Sequence, residues 1–228
     1  MTHLLFVLQI ALGTVFCLSQ FQHMLEHGVQ TGVSVVMFLS VQAFLMINLI
    51  LAVQAYKGLP RVIAIENVTT YLVWNVLWGM NTFLVAHAMT ENHEILWTSS
   101  EYVALCAVLL GILLVYSAGR ARGLTINDPI VRGCSALVFK AAPQLFQAWK
   151  IFVFGGSAWS VIAVLGGHIT ILIRLGQIGF SYLAAKKITS MELQKETMRP
   201  VIGMAISEIG NELSWLVATA FWLWWWLQ

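Results

Sequence analysis

Apolar stretches long enough to cross a bilayer recur along almost the whole chain, separated by short polar or glycine-containing breaks. A helix rises about 1.5 Å per residue and the hydrocarbon slab is about 30 Å thick, so about twenty residues make one crossing. In lipid such a stretch must become a helix or part of a closed barrel, because no water is present to satisfy a bare backbone. A barrel needs short strands of alternating polarity, and the sequence has no such run. The pattern predicts an all-α membrane protein with seven transmembrane helices, over 4–22, 33–56, 63–88, 101–118, 133–153, 158–184 and 201–227. The first stretch lacks a basic leader and a small-residue cleavage site, so it is expected to remain as a helix.

Charge is scarce and one-sided. Asp, Glu, Lys and Arg make up 10% of the chain, against about 25% in soluble domains. The formal balance of +2 is too small to point to nucleic acid. The connections after the second, fourth and sixth helices carry Lys57 and Arg61, then Arg120, Arg122 and Arg132, then Lys186, Lys187, Lys195 and Arg199. The opposite connections carry little beyond Lys150. The positive-inside rule therefore predicts a cytoplasmic N-terminus, without identifying the membrane. Membrane lipid is an expected partner, and the terminal Phe221-Trp222-Leu223-Trp224-Trp225-Trp226 run reads as an interfacial belt or a partner-binding surface.

No catalytic constellation accompanies this framework, so no enzyme activity and no cofactor are expected. Cys17, Cys106 and Cys134 are far apart in apolar surroundings and suggest neither disulfides nor a metal site. His23 and His27 flank Glu26 at helical spacing, but a third metal ligand is lacking. They read as a helix-end cluster, as does Glu91-Asn92-His93-Glu94. Gly119 and Gly123 are followed by no Gly-Lys-Ser/Thr, so they form no phosphate loop.

An ordered series of weak matches relates the two halves. Val15-Phe16-Cys17-Leu18-Ser19-Gln20-Phe21-Gln22 resembles the stretch Val138-Phe139 to Phe146-Gln147, with Gln20 placed on Gln144. Gly32-Val33-Ser34 then falls on Ala158-Trp159-Ser160, Pro60-Arg61-Val62-Ile63 on Pro200-Val201-Ile202, and Trp74 on Trp215. These matches predict a 3+1+3 parallel repeat bundle: a first three-helix repeat over 1–89, a linker helix over 90–124 and a second repeat over 125–228.

Ala142-Pro143-Gln144, the turn Gly155-Gly156-Ser157 and this layout resemble the PQ-loop superfamily, which includes the SWEET sugar carriers, cystinosin-like exporters and nicotinamide riboside carriers. The resemblance covers nearly the whole chain. It implies transport by alternating access, with Pro143 and Gln144 in a hinge. Ser19 and Gln20 stand where the family has its first Pro-Gln pair. The predicted cytoplasmic N-terminus departs from the sugar carriers and matches the nicotinamide riboside carriers better.

Polar side chains inside spans are costly and tend to face a protein interior or a water-filled cavity. Lys140, His168, Arg174, Glu208 and Glu212 lie at membrane depth in the second half, with Glu208 and Glu212 on one helix face. They form either a salt-bridge network that orders this half or a site for substrate binding or proton coupling. Asn211 adds a hydrogen-bonding amide beside them. In the first half Gln42 and Asn48 stand opposite His168 and Arg174, either for a ligand or for interhelical packing. Trp74, Asn75 and Trp78 offer stacking surface for a flat substrate. The expected function is a small-solute transporter. The competing readings are a receptor and a subunit of a larger membrane complex, and a homo-oligomer is compatible with each.

Overall fold

The computed structural model describes residues 2–58, 61–92 and 96–228. Among them are seven α-helices: α1 (Thr2–His27), α2 (Val35–Ala55), α3 (Arg61–Glu91), α4 (Ser99–Ala121), α5 (Pro129–Phe154), α6 (Val161–Lys186) and α7 (Met191–Trp226). A single 3-10 turn, Tyr56–Gly58, follows α2. Pro60, His93 and Glu94 of the sequence matches and clusters lie outside the described residues.

Local chemistry sets the helix starts. Ser34 and Ser160 accept backbone N–H bonds from Met37 and Ala163, and Asp128 accepts one from Ile130 just after Pro129 at the first helical position. Gly155 ends α5 with φ 97°, a conformation that side chains with a Cβ avoid. Two boundaries differ from expectation. Helix α1 absorbs His23–His27, and α7 starts at Met191 and runs for 36 residues through Pro200. Proline removes one helical hydrogen bond, to Glu196. Glu196 and Pro200 are exposed, so the freed carbonyl is not sealed from surrounding polar groups.

Seven membrane-spanning helices are not what the structure supports. Among the described residues four helices are long and apolar enough to cross a membrane: those at His3–His27, Val35–Ala55, Ser99–Ala121 and Val161–Lys186. The other three, α3, α5 and α7, are long but interrupted by polar residues. Glu66, Asn67, Asn75 and Asn81 interrupt α3; Lys140, Gln144, Gln147 and Lys150 interrupt α5; Glu208, Asn211 and Glu212 interrupt α7. Most of these side chains bond to other parts of the bundle. Four long apolar helices, and exposed leucines such as Leu109, Leu110, Leu113 and Leu114 along α4, are consistent with a polytopic membrane protein in contact with lipid.

Helix α3 packs against both α1 and α2, and α7 packs against both α5 and α6. The two groups meet through α1 on α6 and α2 on α5, while α4 leans on α5 and α2. Exchanging α1, α2 and α3 for α5, α6 and α7 leaves all of these pairings unchanged except those of α4. The basic connections and the N-terminus share one end of the bundle, tied by His3 to Glu66 at 2.5 Å and by Arg199 to Asp128 at 2.5 Å. The α1–α2 and α5–α6 connections, Leu96 and the C-terminal tryptophans share the other end, where Lys150 bonds Val33 and Leu96 and Gly155 lies against Trp225.

Candidate functional site

Between the two helix groups lies a cavity of about 160 Å³. Its walls come from α1, α2, α3, α5, α6 and α7, with Trp74 and Tyr71 on one side and Glu208 and Asn211 on another. The lining residues nearest the basic end are Gln9, Thr70, Arg174, Glu208 and Lys140.

Five aromatic rings close its other side. Phe16 stacks on Trp78 with centroids 6.0 Å apart, Trp78 on Phe38 at 4.9 Å, and Phe38 on Trp159 at 6.1 Å. Trp159 meets Trp215 edge-on at 5.4 Å, and Trp215 returns to Phe16 at 6.3 Å. The rings form a closed cycle, and all five are buried. Offset and edge-on contacts of this kind suit the ring quadrupole. Two indoles are fixed to backbone carbonyls: Trp78 donates to Phe38 at 3.1 Å and Trp215 to Val164 at 3.2 Å. Gly167 lets the Trp215 ring lie against α6, since a Cβ there would sit 2.6 Å from the indole nitrogen.

Beyond this layer, two junctions tie the helix groups together. At the first, Gln20 of α1 donates to the Ala158 carbonyl at 2.9 Å and accepts from the Ser160 N–H at 3.1 Å. Ser19 bonds Ser160 at 2.6 Å, and His23 bonds the Ser157 carbonyl at 2.7 Å. At the second, Gln147 of α5 donates to the Gly32 carbonyl and accepts from the Ser34 N–H at 2.6 Å. One turn further, Lys150 donates to Val33 at 2.8 Å, to Leu96 at 3.0 Å and to Glu101 at 2.9 Å. The other oxygen of Glu101 accepts from the Val36 N–H at 2.8 Å and from the Ser34 hydroxyl at 3.2 Å. Lys150 and Glu101 are 0% and 1% exposed, so every charged atom of the pair depends on these partners.

The polar residues singled out in the sequence divide between cavity and packing. Trp74, Trp78, Asn211, Lys140, Arg174, Glu208 and Gln144 line the cavity. Lys140 and Glu208 form an ion pair at 2.7 Å, with the ammonium also 4.8 Å from the Phe44 ring centroid. Gln144 donates to Asn211 at 2.9 Å and accepts from the Ser214 hydroxyl. Arg174 forms no ion pair within 4.0 Å among the described residues, although its charge also acts on Glu208; it donates to Gln177 at 2.9 Å and to the Met204 sulfur at 3.7 Å.

The rest do not line this cavity. Gln42 donates to Asn75 at 3.0 Å, while Asn75 and Asn48 donate to carbonyls on their own helices. His168 bonds Glu212 at 2.7 Å and Thr219 at 2.8 Å, a pair held between α6 and α7 beside Trp215. Pro143 is buried within a continuous α5. Gln20 and Gln147 make the same pair of bonds, to the starts of α6 and α2, so in bonding it is Gln147, one turn past Gln144, that resembles Gln20.

Sequence reasoning passed over Gln9, Phe16, Tyr71 and Thr170 in the lining, and Glu101 and Gln147 at the second junction. Lys150 drew notice only as a stray basic residue. Its signal was a lone cation at the apolar end with one acidic residue, Glu101, opening the next apolar helix. Among the described residues no group of histidines, cysteines and carboxylates is arranged to hold a metal. Comparison with known proteins returns no match: no family model, no curated sequence and no solved structure matches this chain.

Proposed function

We propose that this chain is a small-solute membrane transporter that works by alternating access, with its N-terminus in the cytoplasm. The observation that carries this reading is the position of the cavity. It lies between two helix groups with interchangeable pairings, on the basic-end side of a closed aromatic layer. The interchangeable pairings also support an internal duplication and the likeness to PQ-loop carriers. Polar groups collected at depth in an apolar bundle suit a solute path.

The α1–α6 junction is the part that yields when the far side opens. It contains no ion pair, and no buried ion pair is broken when it parts. Parting α2 from α5 would strip partners from Lys150 and Glu101, a costly step in a medium without water. The aromatic layer would open by separating Phe16, on α1, from Trp215, on α7.

Accessibility tests this reading. In a background with Cys17, Cys106 and Cys134 replaced by serine, Tyr71→Cys places a thiol in the cavity wall. In liposomes an impermeant thiol reagent is expected to reach it from each face in turn as solute gradients are reversed. Labelling from one face only, across a broad panel of solutes, would contradict alternating access. A stable co-purifying membrane partner together with that outcome would favour the complex-subunit reading.

A further inference from the structure

Resting on the carrier reading, we infer that the cavity takes a small monocarboxylate with a compact aromatic body, held at its charged end by Arg174. The argument starts from which polar groups of the lining are already engaged. Lys140 and Glu208 neutralise each other at 2.7 Å. Gln144 and Asn211 are bonded together at 2.9 Å, and the Thr70 and Thr170 hydroxyls donate to carbonyls on their own helices. A polyhydroxylated solute needs many donors and acceptors around it, and these groups would have to break their own bonds to supply them.

The capacity that remains is rich in donors. A guanidinium carries five N–H donors, and Arg174 uses one on Gln177 and one on the weak thioether acceptor of Met204. The Trp74 indole N–H, the Tyr71 hydroxyl and the Gln9 amide line the same cavity with no hydrogen-bond partner among the described residues. No carboxylate is left over to receive a cation: Glu208 is held by Lys140, and Glu212 faces His168 outside the lining. The lining therefore has an excess of one positive charge. A planar fork matched to a carboxylate is what guanidinium recognises best. The Trp74 and Tyr71 rings in the wall then meet an apolar, flat body. The size agrees: a cavity of about 160 Å³ is far more than a single water needs and has room for a compact solute.

The test is calorimetric titration of the purified wild-type protein in detergent with benzoate, benzamide, benzylamine and glucose. Benzoate is expected to bind at least tenfold more tightly than benzamide, its neutral counterpart, with benzylamine and glucose weaker still. Arg174→Gln is expected to remove the preference for benzoate, and Arg174→Lys to retain part of it. Benzamide or benzylamine binding as tightly as benzoate, glucose binding alone, or an unchanged preference in Arg174→Gln would overturn the inference. Should Arg174→Gln fail to fold, the benzoate–benzamide comparison on the wild-type protein decides. Uptake in liposomes separates the two claims. Benzoate bound but never carried leaves the anion site standing and sinks the carrier reading. A neutral solute carried without benzoate binding does the reverse.

Discussion

The two junctions at the far end of the bundle share one plan and differ in chemistry. In each, a glutamine from the end of one helix bonds a carbonyl and an N–H at the serine-capped start of another. One turn further on, the α1–α6 junction has His23 on a single carbonyl, whereas the α5–α2 junction has Lys150 on two carbonyls and a carboxylate. The first is part-buried and holds no ion pair; the second is sealed and ionic. A shared scaffold can therefore have one edge free to part and one edge that parts only at high cost. In that picture α4 is more than a connector, because it brings Glu101 to the fixed edge.

The largest effect is expected from removing one member of the buried pair. Lys150→Met strands the Glu101 carboxylate and is expected to cost about 3–5 kcal/mol, read as a fall in the thermal stability of the detergent-solubilised protein. Adding Glu101→Gln to it should recover a clear part of the loss. If Lys150→Met alone were neutral, the fixed edge would not be fixed by charge.

An intermediate effect separates the two glutamines. Gln20→Leu leaves a buried carbonyl and a part-buried N–H unpaired and Gln147→Leu a buried N–H and carbonyl, each at about 1–3 kcal/mol. The stability losses are expected to be similar, but the consequences for opening are not. Gln20→Leu should raise labelling of Tyr71→Cys from the far face, while Gln147→Leu, still backed by Lys150, should leave it unchanged. Equal labelling in the two variants would erase the functional distinction. The smallest effect belongs to Ser19→Ala, which removes one neutral bond to Ser160, at about 0.5–1.5 kcal/mol.

What the sequence made legible follows from range. Helix existence was readable because apolar length is local, and the cap residues Ser34, Asp128 and Ser160 are local too. The ends of α1 and α7 were not, because His23 and Pro200 normally interrupt an apolar run. Here His23 bonds Ser157 across the bundle, and Pro200 sits in an exposed part of its helix. Lys140 and Glu208 could be placed at one depth from helix direction, and they pair. His168 could not be matched to Glu212, since rotation about the helix axis decides that and depth does not. Gln147 was hidden by Gln144: a Pro-Gln pair draws the eye, whereas the likeness of Gln147 to Gln20 lies in which distant backbone groups each reaches. Glu101 and Lys150 are 49 residues apart, and each alone looks like an interfacial charge at a helix end.

The claim that the α1–α6 junction must part is tested most directly by locking it. The Ser19 and Ser160 hydroxyls are 2.6 Å apart, so Ser19→Cys with Ser160→Cys places two thiols in contact. With the native cysteines replaced, this variant is reconstituted in liposomes, and uptake of a transported solute is measured before oxidation, after it and after reduction. The account predicts that the disulfide abolishes uptake and that reduction restores it. Undiminished uptake by the fully cross-linked protein would contradict it.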